Sequence, residues 1–128
     1  MLEEFLKQFY QVLSFEKDEP FKDEAFRNLF INNAVLIESE NGNYKQKSLE
    51  DHIAEFHDAI ENYPALFERG FHEIQTDYSV IESENCYLIS SKYKKTYSRQ
   101  GEPYSENGIN NMTIVKCGDS YKIASVLW

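Results

Sequence analysis

The sequence predicts an α+β domain in which three N-terminal helices pack on a curved, mostly antiparallel sheet, in the order α-α-β-α-β-β-β-β. Two observations lead there. Apolar residues recur at three-and-four spacing up to about residue 63, and from Gly70 onward the period becomes two. Three turn signals, Glu84-Asn85, the Arg99 to Pro103 segment and Gly118-Asp119, then cut the second half into four strands of a meander.

The first helix runs from Leu2 to Leu13, with Leu2, Phe5, Leu6, Phe9, Val12 and Leu13 on one stripe. Pro20 interrupts, and Asp23 opens a short second helix carrying Phe26, Leu29 and Phe30, its acidic start suited to the helix dipole. Asn33 to Glu38 (NAVLIE) is a short strand, and Asn41-Gly42 after it signals a tight turn. Ser48-Leu49-Glu50-Asp51 has the form of a capping box, and Ile53, Phe56, Ile60 and Tyr63 continue a third helix up to Pro64.

In the meander, the best hydrophobic register sets Val80 opposite Tyr87, Tyr78 opposite Ile89, Ile89 opposite Ile114 and Ile114 opposite Ile123. Strict alternation then turns His72, Ile74, Tyr78, Ser91, Tyr93, Asn110, Met112, Ser125 and Leu127 toward the helices. It turns Glu73, Gln75 and Asp77 away. The outward set continues into Leu88, Ile109, Val115, Ala124, Val126 and Trp128, an apolar area with no segment left to bury it. A homodimer through Leu88, Val115, Ala124, Val126 and Trp128 is the expected cover. In the same register Cys86 faces Cys117, either as two buried small residues or as an oxidisable pair of thiols.

Composition narrows the function. The 128 residues suit one domain, residues 1–128, and 41% hydrophobic with 15% aromatic residues supplies enough apolar surface to fold. A formal charge of −9 repels phosphate backbones and anionic lipid, so neither nucleic acid nor a membrane is an expected partner. No apolar run spans a bilayer, the acidic N-terminus is unlike an export signal, and two cysteines suit a reducing cytosol, so a cytoplasmic location is expected. His52 with Glu55 and His57 with Glu61 lack a second imidazole at ligand spacing, so no metal site is expected. No Gly-rich phosphate loop or nucleophile elbow occurs, and no cofactor is expected. The basic run Lys92 to Arg99 reads as a solvated strand, with Lys95 or Arg99 able to attract an acidic ligand at a pocket mouth.

Leu29-Phe30 followed by Asn33 to Glu38, the capped helix from Ser48 and the closing Ser120 to Trp128 resemble the nuclear transport factor 2-like superfamily. Within it the chain is similar to the bacterial branch of polyketide-cyclase-like and steroid-isomerase-like domains. The resemblance implies a cystatin-like cone with a pocket between the concave sheet and the helices. It also implies a base near Glu38, an oxyanion-binding tyrosine near Tyr10 and a hydrogen-bond donor at Asn110 in place of an acid. His57, Tyr78, Ser91, Tyr93 and Met112 are the further ligand-binding residues expected around that pocket. Four of them have a plainer reading: Glu38 as a solvated strand end, Tyr10 as a packed phenol, Asn110 as a partner for backbone, His57 as a solvent-facing helical residue. The function expected is binding of a small apolar or carbonyl-containing molecule. The alternatives are a cofactor-independent isomerase, dehydratase or cyclase with Glu38 as base, and a protein-interaction module.

Overall fold

The computed structural model describes all residues from Met1 to Trp128. In chain order the elements are α1 (Leu2–Leu13), α2 (Asp23–Arg27), β1 (Phe30–Glu40), β2 (Asn43–Lys47), α3 (Leu49–Asn62), a 3₁₀ turn (Pro64–Phe67), β3 (His72–Glu82), β4 (Tyr87–Arg99), β5 (Glu102–Cys117) and β6 (Ser120–Leu127). The six strands form one sheet in the order β2-β1-β6-β5-β4-β3; β1 and β6 run parallel and every other neighbour pair is antiparallel. The expected three helices and curved α+β sheet are present. No helix is long and apolar enough to cross a membrane.

Helix α1 buries Phe5, Leu6, Phe9, Tyr10, Val12 and Leu13, and Ser48 caps α3 by accepting from the Asp51 amide at 3.0 Å. Two elements differ from the sequence expectation. Phe30, read as helical, opens β1, and the Asn41-Gly42 turn leads into a strand, β2, that the sequence reading did not include. Four of the five β2 residues are exposed, so no alternation marks it.

The register also differs, and bulges are the cause. Both central hairpins pair two residues away from the expected alignment: Val80 faces Ile89, and Ile89 faces Met112. That shift preserves which face each residue takes. The bulges do not, because each inserts one residue without a partner and reverses the alternation beyond it. In β3 the pairs Gln75–Tyr93 and Asp77–Lys92 skip Thr76; between β5 and β6 the pairs Thr113–Ser125 and Ile114–Ile123 skip Ala124. Glu73 and Gln75, expected outside, therefore turn inward, and Ile74 is left 65% exposed. Val126 is buried and Trp128 packs against the core, while Ser125 and Leu127 take the outward side. Val126 and Trp128 consequently leave the outward apolar face, where Leu88 and Ile109 remain exposed. Cys86 and Cys117 are not opposite one another: Tyr87 pairs with Ile114 and Cys117 with Ser120, and Cys117 is exposed rather than buried.

Candidate functional site

The concave side of the sheet and the helices enclose a cavity of about 270 Å³. Its walls are mostly apolar, with Phe26, Phe30, Phe56, Phe67 and Phe71 among them and Trp128 on one side. The phenyl rings support one another: Phe21 stacks on Phe56 at 4.5 Å, Phe26 meets Phe30 at 5.0 Å, and Phe15 stacks on Phe71 at 5.6 Å. Six polar residues interrupt this lining: His52, Glu55, Glu73, Tyr93, Lys95 and Asn110.

Glu73 owes its place to the start of β3. Phe15 and Phe71 exchange two backbone hydrogen bonds of 2.8 Å, which tie the end of α1 to this strand. Gly70 (φ +81°) permits the approach, because a Cβ there would lie 2.6 Å from the Phe15 carbonyl oxygen. Two residues beyond Phe71, the Glu73 amide donates to Ser14 Oγ at 3.0 Å. The Thr76 bulge does the rest, pointing the Glu73 side chain at the cavity. No hydrogen bond or ion pair within the protein holds that carboxylate. Burial raises its pKa from 4.5 to about 7, against the opposing pull of Lys95.

His52 projects from α3 into the same space, its ring 5.0 Å from Trp128 and 5.1 Å from Phe56. Nδ1 is buried without a hydrogen-bond partner, and burial lowers the ring pKa to about 4. The imidazole is therefore neutral at physiological pH. Burial raises the Tyr93 phenol well above its ordinary value, so it stays protonated and able to donate. Tyr93 lies over Gly108, its partner on β5: a Cβ at that glycine would come within 2.4 Å of the phenol.

Of the residues singled out from sequence, Tyr93 and Asn110 line the cavity. Tyr10 and Ser91 stand directly behind them, bonded to each other at 2.6 Å, with Asn110 Nδ2 donating to Tyr10 Oη at 3.1 Å. Met112 is buried in the core without lining the cavity, and Tyr78 packs on the same core. Glu38 is elsewhere. It bonds at 3.0 Å to Lys47, which Glu55 also holds at 2.7 Å and which lies 5.3 Å from the Trp128 ring. Burial depresses Lys47, but the bonds and charges of Glu55 and Glu38 outweigh it and keep the ammonium above its usual range. His57 is on the surface, bonded to Asp23 at 2.8 Å. Sequence reasoning missed Glu73, His52 and Trp128 as cavity residues. For Glu73 and Trp128 strict alternation pointed the wrong way.

No protein-family model matches the chain, and no curated protein matches it in sequence. Solved structures do match. A protein of unknown function with a cystatin-like fold from Nostoc punctiforme is 12% identical, with a TM-score of 0.68 over 98% of this chain and 85% of that one. The fold is cystatin-like. A candidate ketosteroid isomerase from Shewanella frigidimarina is 17% identical, with a TM-score of 0.66 over 98% of this chain and 91% of the other. The benzoate 1,2-dioxygenase beta subunit from Burkholderia mallei is 16% identical, with a TM-score of 0.73 over 98% and 85%. These neighbours agree with the nuclear transport factor 2-like resemblance in fold, and their differing descriptions assign this cystatin-like chain no particular activity.

Proposed function

We propose that the cavity binds a compact, largely apolar carbonyl compound and that Glu73 moves a proton on it without a cofactor. The observation that carries this reading is a carboxylate on an aromatic cavity wall, unpaired within the protein, whose burial raises its proton affinity toward neutrality. Ionised Glu73 takes a proton from the carbon beside the carbonyl, and the electron pair moves onto the carbonyl oxygen. The Tyr93 hydroxyl supports that oxygen. The same carboxylic acid then returns its proton to the original carbon or to another in the conjugated system, which leaves atoms and charge balanced. The base expected at Glu38 is thereby reassigned, since Glu38 is engaged by Lys47 away from the cavity.

The test needs no knowledge of the natural substrate. A two-ring ketone such as 2-tetralone in deuterium oxide should exchange its hydrogens beside the carbonyl faster with the protein than in buffer. Glu73→Gln should remove at least about a hundredfold of that acceleration, and Glu38→Gln should leave it intact. Exchange at the buffer rate, or unchanged exchange in Glu73→Gln, refutes the proposal.

A second copy of the chain is the proposed partner of the outward sheet face, where Leu88 and Ile109 are 45% and 43% exposed. The proposed location is the cytosol, on the strength of two free cysteines, one exposed.

A further inference from the structure

Behind the cavity wall, four side chains form a row of hydrogen bonds. Asn110 Nδ2 meets Tyr10 Oη at 3.1 Å, Tyr10 Oη meets Ser91 Oγ at 2.6 Å, and Ser91 Oγ donates to Gln75 Oε1 at 2.6 Å. Three of the four are closed off from solvent, with Ser91 0%, Tyr10 3% and Asn110 6% exposed. Gln75 reaches the row only because the Thr76 bulge turns it inward, and it also borders a surface groove shared with Tyr10 and Glu73.

A hydroxyl has one hydrogen, and that decides the direction of the row. Ser91 gives its hydrogen to Gln75, so toward Tyr10 it can only accept. Tyr10 must therefore donate to Ser91, and toward Asn110 it too can only accept. Asn110 has to present an amide N–H to Tyr10. Its carbonyl oxygen, Oδ1, is left with no partner in the protein, on a residue that lines the cavity.

We infer that this row holds Asn110 as a hydrogen-bond acceptor toward the cavity, and that the ligand carries a hydroxyl group that donates to it. The inference rests on the cavity being a small-molecule site, and it narrows the substrate class to hydroxyl-bearing carbonyl compounds: the hydroxyl at Asn110, the carbonyl at the Tyr93 phenol. Tyr10 is then a positioning residue, since its own hydrogen points away from the ligand. Gln75 is another, at the far end of the row. A site built to accept a hydroxyl hydrogen discriminates against a ligand without one, because a buried acceptor would be left unpaired.

The volume suggests the probes. An apolar cavity of about 150 Å³ accommodates benzene, so 2-naphthol and its methyl ether, 2-methoxynaphthalene, suit the space here. Trp128 is the single tryptophan and lines the cavity, so its indole N–H resonance reports binding of either ring. In the unaltered protein 2-naphthol should bind about tenfold more tightly than its methyl ether, which accepts a hydrogen bond but cannot donate one. Gln75→Met touches neither ring, yet it frees Ser91 to donate to Tyr10 and lets the row reverse; the ratio should then fall to about twofold or less. A ratio near one in the unaltered protein overturns the inference while leaving the small-molecule reading standing, as does an equally large ratio in both proteins. If neither ring moves the indole resonance, the reading of the cavity fails and this inference with it.

Discussion

Glu73 and Lys95 are direct partners across β3 and β4, both facing inward, and still the carboxyl keeps a raised proton affinity. Desolvation wins because Lys95 is shared with Glu106, 3.8 Å away, and does not bond Glu73. That balance fixes how stability depends on pH. The folded Glu73 carboxyl holds its proton up to about pH 7, whereas the unfolded one releases it near 4.5. Between those values the native state binds more protons, so the Glu73 contribution is full below about 4.5 and is lost as pH rises toward 7. His52 does the reverse: its contribution is full above 6.5 and is lost as pH falls toward 4. The two slopes oppose each other from about pH 4.5 to 6.5. Chemical denaturation should therefore show little net change from this pair in that window. In Glu73→Gln the His52 slope should emerge, with stability rising by about 1 kcal/mol per pH unit as the pH increases. A pH profile identical to that of the parent would contradict the burial assigned to Glu73.

The contact between Tyr93 and Gly108 makes a second prediction. Gly108→Ala should force the phenol aside, costing about 1–3 kcal/mol in urea denaturation. Shortening the ring removes the clash, so Tyr93→Leu combined with Gly108→Ala should be less destabilising than the sum of the two single changes. Additive losses would mean that the ring does not occupy that space.

Phe26 is 1% exposed and touches rings from α1, β1 and α3. Because it also lines the cavity, truncation enlarges an existing space that its neighbours cannot fill. Phe26→Ala should lose about 3–5 kcal/mol in calorimetry or denaturant titration. A loss below 1 kcal/mol would show that the aromatic lining collapses inward.

The outward face bears on assembly. Light scattering should find a particle of twice the 15.1 kDa chain mass, and Ile109→Lys should shift it to a single chain. A monomer at micromolar concentration and above would leave the exposed Leu88 and Ile109 without this explanation.

Much of the architecture was legible because it depends on period. The stripe on α1, the Ser48 cap and the four strands after Gly70 all follow from spacing and turn chemistry that a single sequence displays. Strand β2 was not, since Asn43 to Gln46 are exposed polar residues whose pairing depends on a neighbouring strand. The site was half legible. Tyr93 and Asn110 lie on stretches where alternation is unbroken, so parity placed them correctly. Glu73, Val126 and Trp128 lie beyond a bulge, and neither Thr76 nor Ala124 is a glycine or proline that would have marked one.

The extra residue at Thr76 also bears on how such a cone could change over evolutionary time. Removing Thr76 from the gene would reverse the facing of the first four residues of β3, withdrawing the acid and inserting Ile74 in its stead. A single codon deletion is thus one path from an acid-lined chamber to a greasy one, and codon insertion is the way back.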